Sequence, residues 1–218
     1  MTSLQPHIEY LIFDLDGVLI DSSPCHLAAY QKLWDKLGIH GPEYDTIAGK
    51  RTVEVVSTIT RSLEPTEAEI NEWVMFKQKM ARREMKHDFK VCSGAVEIIN
   101  KLHADGWRMS VATGASRASA LLALGSMGIT ACFDFIVTAD EVIQGKPDPM
   151  VFNEVLRKSA VPAGKTLILE DSQSGVEAAI AAGVRVCTVH TGVRSDADLF
   201  MGAYANLNDG LIELGVLQ

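Results

Sequence analysis

The stretch LIFDLDGVLIDS (residues 11–22) decides the fold. A short apolar run ends on two acids, Asp14 and Asp16, set two residues apart; Gly17 follows, then a third acid, Asp21. The run IEYLIF (residues 8–13) has the length and the β-branched, aromatic character of a buried strand. Carboxylates this close oppose one another. Two like charges about 4 Å apart repel by roughly 4 kcal/mol at an effective dielectric near 20, and burial adds a desolvation penalty. The rest of the chain must supply the compensating charge. A calcium loop is not the answer, because an EF-hand places its glycine sixth between helices, and here glycine is fourth in DLDG and follows a strand.

Four more runs read as buried strands: RMSVAT (108–113), FDFIVT (133–138), TLILE (166–170) and RVCTVH (185–190), with AYANL (203–207) as a weaker sixth. Helical patterns separate them. Those at 94–106, 116–128 and 174–183 close on Gly106, Gly128 and Gly183, and in DPMVFNEVLRKSA Asp148 reads as an N-cap with Pro149 in the first turn. Strand alternating with helix predicts an α/β fold, a Rossmann-like parallel sheet with helices on both faces. Ligands then bind beyond the carboxyl ends of the strands, where Asp14 and Asp16 lie.

Residues 21–91 interrupt this alternation with helical patterns alone, punctuated by Gly38, Gly41, Pro42 and Gly49. One stripe joins Leu27, Tyr30, Leu33, Trp34 and Leu37; residues 64–89 form one long helix or two. The expected organisation is a discontinuous core, 1–20 and 92–218, carrying an inserted helical cap, 21–91. In the cap, Lys77, Lys79, Arg82, Arg83 and Lys86 read as a solvated helix face interleaved with Met80 and Met85.

At 218 residues and 47% hydrophobic, the chain can build a real core. A net charge of −8 argues against nucleic-acid binding and against adsorption to an anionic membrane. No apolar run nears the roughly 18 residues of a membrane span, and the first ten residues do not read as a signal peptide. Cys25, Cys92, Cys132 and Cys187 are scattered and read as free thiols, so a cytoplasmic location is the expectation.

The strand ends, taken together, bring Asp14, Asp16, Thr113, Gly114, Lys146, Glu170, Asp171 and several glycines to one crevice. Hard carboxylate oxygens, a hydroxyl, backbone N–H groups and a lysine suit Mg²⁺ and phosphate. Glu170 reads either as a neighbour of the metal or as a salt-bridge partner.

Four motifs now stand in order: DLDG (14–17), ATG (112–114), GKPDP (145–149) and LEDSQSG (169–175). Over essentially its whole length the chain resembles the haloacid dehalogenase superfamily of hydrolases, in its phosphatase and β-phosphoglucomutase branch. The resemblance implies that Asp14 is a nucleophile forming an aspartyl-phosphate and Asp16 a general acid and base. It implies Mg²⁺ on Asp14, the Asp16 carbonyl and Asp171, with Glu170 near or among the ligands, and phosphate held by Thr113, Gly114 and Lys146. Cap residues near the entrance choose substrate in this family; His26 and Arg51 occupy that region, and each is also readable as structural. The second acid of DLDG separates this chain from the dehalogenase and phosphonatase branches, which resemble D-x-Y-G-T or carry alanine there. The expected activity is Mg²⁺-dependent hydrolysis of a small phosphorylated metabolite, such as a sugar phosphate or phosphoglycolate. The alternative is a sugar phosphomutase similar to β-phosphoglucomutase. His26 favours it; GKRT (49–52), with arginine one residue earlier than in that enzyme's G-x-x-R, does not. A non-catalytic binding protein on this fold is disfavoured by the complete set of acids, threonine and lysine.

Overall fold

A computed structural model of the protein describes residues 7–48, 50–87 and 89–217. Gly49, named above, lies outside them. Strand β1 (Tyr10–Phe13) runs through the middle of a parallel six-stranded sheet, ordered β5-β4-β1-β6-β7-β8. Its neighbours are β4 (Arg108–Ala112) and β6 (Thr166–Glu170), with β5 (Phe135–Val137) beyond one and β7 (Arg185–Val189) and β8 (Phe200–Tyr204) beyond the other. The register is regular: Phe13 stands beside Val111 on one side and Leu169 on the other. Alternate residues of β1 feed two cores. Leu11 and Phe13 pack with Met109, Leu167 and Leu169 on one face, while Tyr10 and Ile12 pack with Phe152, Ile168 and Val186 on the other. All four residues of β1 are fully buried, as expected for a parallel sheet covered on both faces. Chain order reverses across β1, so the crevice at its carboxyl end is the one the topology opens for a ligand.

Helices α4 (Ala95–Ala104), α5 (Arg117–Ser126), α6 (Met150–Ser159), α7 (Gln173–Ala181) and α8 (Leu207–Glu213) complete the sandwich. Between β1 and β4 lie α1 (Ser23–Leu37), α2 (Thr52–Ile59) and the single long α3 (Glu67–Met85). These three helices share their own apolar cluster, in which Tyr30, Leu33, Trp34, Val55, Val56 and Trp73 are buried together. Tyr30 stacks on Trp34 with ring centroids 5.5 Å apart.

Several boundaries differ from the sequence expectations. Two short strands, β2 (Ile20–Asp21) and β3 (Lys90–Val91), pair antiparallel where the helical segment leaves and rejoins the sheet. At two residues each they are too short to show alternation. The last strand lies at 200–204 rather than 203–207, because Asn206 caps α8 by accepting from the Asp209 N–H at 2.9 Å and draws Leu207 into the helix. Helix α6 begins one residue late: Asp148 folds onto the Met150 N–H at 3.0 Å in a side-chain turn, leaving Pro149 as the cap. Leu27 is exposed, since the buried stripe of α1 runs Cys25, Ala29, Tyr30, Leu33, Trp34 and positions two apart do not share a helix face. Gly106, Gly128 and Gly183 all take positive φ just past their helices, as expected.

Candidate active site

The site begins with the turn that ends β1. Gly17 has φ +83, and its N–H donates to the Ile20 carbonyl at 2.6 Å, folding the chain back at once. A side chain on Gly17 would land inside the Asp171 carboxylate. Glycine is therefore required twice, for the conformation and for the approach of the acid. Gly175, in the first turn of α7, plays the same part for Glu170, whose carboxylate occupies the space a Cβ would take.

Asp14 follows β1 and Glu170 ends β6, so the pairing of the two strands sets the acids side by side; the Asp14 N–H donates to Leu169 at 2.9 Å. Lys146, arriving from the loop after β5, joins them. Its Nζ donates to Asp14 Oδ1 at 2.6 Å and to Glu170 Oε1, and lies 3.4 Å from the Ala112 carbonyl. Its side chain is only 7% exposed. Burial by itself would lower the lysine's pKa; the two carboxylates outweigh it and raise the pKa. This is the distant positive charge that the paired acids require.

Glu170 is fully buried and its other oxygen, Oε2, accepts from the Asp171 N–H at 3.0 Å, the Ser172 N–H at 3.1 Å and the Ser172 hydroxyl at 3.0 Å. It braces Lys146 and the start of α7. The salt-bridge reading of this residue is thus realised, and it stands beside Asp14 and Asp171 as well: one oxygen from each of the three lies within 4.8 Å of the others. Burial pushes Asp14 well up, with Lys146 opposing and Glu170 and Asp171 adding to the shift. Burial, then Glu170, raises Asp171 to about 7. An all-oxygen donor set with surplus negative charge around one lysine fits a hard divalent cation.

Asp16 lies past the strand end. Burial raises its pKa against the Ser22 hydroxyl, Lys77 and Lys146, which gives a carboxyl suited to hold a proton. Ser22, itself 1% exposed, donates its hydroxyl to Asp16 Oδ1. It stands at the N-cap position of α1 yet makes no side-chain bond to that helix. On the opposite wall Thr113 is 2% exposed, and its Oγ1 accepts from the Ala115 N–H at 3.1 Å, just before α5. Such a hydroxyl still has its own proton to donate, alongside the backbone N–H groups of the Gly114 loop.

Helices α1, α2 and α3 and the strand ends together line a cavity of about 480 Å³, with His26, Arg51 and Lys77 on its walls. Lys77 is 3% exposed, which corrects the expectation of a solvated lysine. Lys79, Arg83 and Lys86 on the same helix are exposed and Arg82 partly so, as expected. The Lys77 ammonium donates to His26 Nδ1 at 2.6 Å and sits 4.2 Å from the centre of the Tyr30 ring. Burial pushes His26 down to about 3, and the Lys77 charge adds to the effect, so the imidazole is neutral and accepts. Arg51 starts α2; its Nη1 donates to the Ile143 carbonyl and its stem lies against Gly145.

The model of the haloacid dehalogenase-like hydrolases matches residues 11–189. The chain belongs to that family. Among curated proteins, a phosphorylated carbohydrates phosphatase of Thermotoga maritima is 29% identical, covering 96% of this chain and 93% of its own. A fructose-1-phosphate phosphatase of Escherichia coli is 32% identical over 80% of this chain and 92% of its own. Among solved structures, a β-phosphoglucomutase of Clostridium difficile superposes with a TM-score of 0.76 at 23% identity, over 84% of each chain. That likeness speaks to the fold alone.

In this haloacid dehalogenase-like hydrolase two site residues escape the motifs. Lys77 had a signal: Trp73, Lys77, Ala81 and Met85 recur every fourth residue, and all four are buried. Ser22 had none, because a serine before a helix reads as an ordinary cap. Among the described residues no helix is long and apolar enough to cross a membrane.

Proposed function

We propose that this chain is a cytoplasmic, Mg²⁺-dependent phosphatase of small phosphorylated metabolites, with sugar phosphates and phosphoglycolate as the candidate substrates. The observation that carries the reading is the cluster of Asp14, Lys146, Glu170 and Asp171 at the ends of adjacent strands, at one cavity with Thr113 and with Asp16, whose pKa burial raises. The phosphatases among its relatives support it. Segments 1–20 and 92–218 form the chemical core in this reading, and 21–91 the cap.

Thr113, the Gly114 backbone and Lys146 hold the non-bridging oxygens of the phosphoryl group. Asp14 attacks phosphorus; the bond from phosphorus to Asp14 forms as the bond to the ester oxygen breaks, and Asp16 gives its proton to that oxygen. Asp16, now ionised, takes a proton from water as the water oxygen bonds to phosphorus and releases Asp14. Asp14 and Asp171, with the Asp16 carbonyl and with Glu170 adjoining, would hold the cation, which when bound keeps Asp14 ionised and offsets the repulsion between carboxylate and phosphate dianion. His26 and Lys77 face the substrate from the cap.

A panel of phosphate esters, assayed with Mg²⁺ and with chelator, tests the reading. Metal-dependent release of inorganic phosphate is the expected result, abolished in Asp14→Asn while the fold survives. Isomerised hexose phosphate that depends on a bisphosphate primer, without free phosphate, would replace the phosphatase with the mutase. No turnover of any ester by the folded, metal-loaded protein would overturn both.

A further inference from the structure

Arg51 had two readings in the sequence, substrate selection or structure, and its contacts point to a third. It lines the cavity from the cap, yet its contacts reach into the core. Nη1 donates to the carbonyl of Ile143, in the core loop between β5 and α6, and Glu54 on the next turn of α2 lies 4.0 Å away. The aliphatic stem fills the space beside Gly145: a Cβ there would stand 2.5 Å from both Cγ and Cδ of Arg51. Gly145 is not in the left-handed region that favours glycine. What the missing side chain provides is a seat for the arginine. The next residue is Lys146, and the Asp148 N–H donates back to the Gly145 carbonyl at 3.0 Å, so the seat is also the first residue of the turn that presents the ammonium.

We propose that Arg51 is a positioning residue that clamps the Ile143–Gly145 loop to the cap, so that the backbone turn leading into Lys146 is steadied from the cap while Asp14 and Glu170 hold its ammonium from the core. The guanidinium donates to a backbone carbonyl and has a carboxylate, that of Glu54, nearby. The inference rests on Lys146 holding the transferring phosphoryl group.

Hydrogen exchange and kinetics on wild type, Arg51→Ala, Gly145→Ala and the double variant test it. Amide exchange at Asp148, whose N–H is bonded to the Gly145 carbonyl, should speed up roughly tenfold in each single variant, the scale of one lost charge-assisted hydrogen bond. It should rise no further in the double variant, because both changes break the same contact. In the presence of Mg²⁺, kcat/KM should fall by one common factor for a sugar phosphate and for a plain aryl phosphate, which has nothing to offer the cap. Unchanged exchange in Arg51→Ala overturns the clamp. So does a kinetic loss confined to esters with a second polar group, which would make Arg51 a substrate ligand. If wild type hydrolyses no ester, the phosphatase reading fails while the exchange result still decides the clamp.

Discussion

At the residue scale the site is a charge balance with one lysine at its centre. Replacing Lys146 by alanine strands Asp14 and Glu170 in the interior without their cation, and losing one partner of a buried pair costs about 3–5 kcal/mol. Urea unfolding in the absence of divalent ions should show that loss, and turnover should vanish with it. Lys77 behaves differently, since its direct partners are neutral His26 and the Tyr30 ring, and Asp16 acts on it only through its charge. Burial lowers its pKa to about 7. The unfolded chain, with an ordinary lysine, binds the extra proton between about pH 7 and 10.5, so this group makes the protein more stable as pH rises through that window. Below it the penalty is fully present. Subtracting the stability of Lys77→Met from that of wild type, by denaturant titration at several pH values, should give a difference that climbs from pH 7 to 10; a flat difference would mean the lysine is not desolvated. The motif residues were readable because a strand end, a glycine and an acid occur together in sequence. Ser22 was not, because a serine before a helix reads as an ordinary cap; Lys77 left only the four-residue repeat of buried positions in α3, which a run of basic residues obscures.

At the element scale the strands of the core were the most legible part. Their runs are apolar on both faces, and β6 matches its predicted limits to the residue. Boundaries failed where a polar side chain overrode the pattern, as Asp148 and Asn206 do at the starts of α6 and α8. The start of α3 offers a clean test of such local chemistry. Thr66 opens α3 with a reciprocal capping box: its Oγ1 accepts from the Glu69 N–H at 3.3 Å, and Glu69 accepts from the Thr66 N–H at 2.8 Å. Thr66→Ala should cost about 1 kcal/mol of stability and leave kcat and KM for a phosphate ester unchanged, because the box is exposed and lies outside the cavity wall.

At the scale of the whole molecule, the acid cluster couples folding to the metal. An ion that binds only the folded chain stabilises it by about 2.7 kcal/mol at a hundredfold excess over its Kd, a rise in Tm of roughly 5–10 °C for a chain of this size. Thermal unfolding with and without Mg²⁺ should show it. Asp171→Asn should abolish the shift without lowering the metal-free Tm, since it removes a carboxylate that burial and Glu170 already disfavour. The two-residue ladder of β2 and β3 has a consequence of another kind. It sets Asp21 opposite Lys90, so the chain departs from the sheet and returns to it at one spot. To the core, everything between is a loop whose ends are already held together, and doubling such a loop adds only about 0.6 kcal/mol of closure entropy. The intervening helices can be lengthened, trimmed or exchanged at little cost to the sheet beneath. What such changes must preserve are the contacts through which the segment reaches the strand ends, Ser22 on Asp16 and Arg51 on the Ile143 carbonyl.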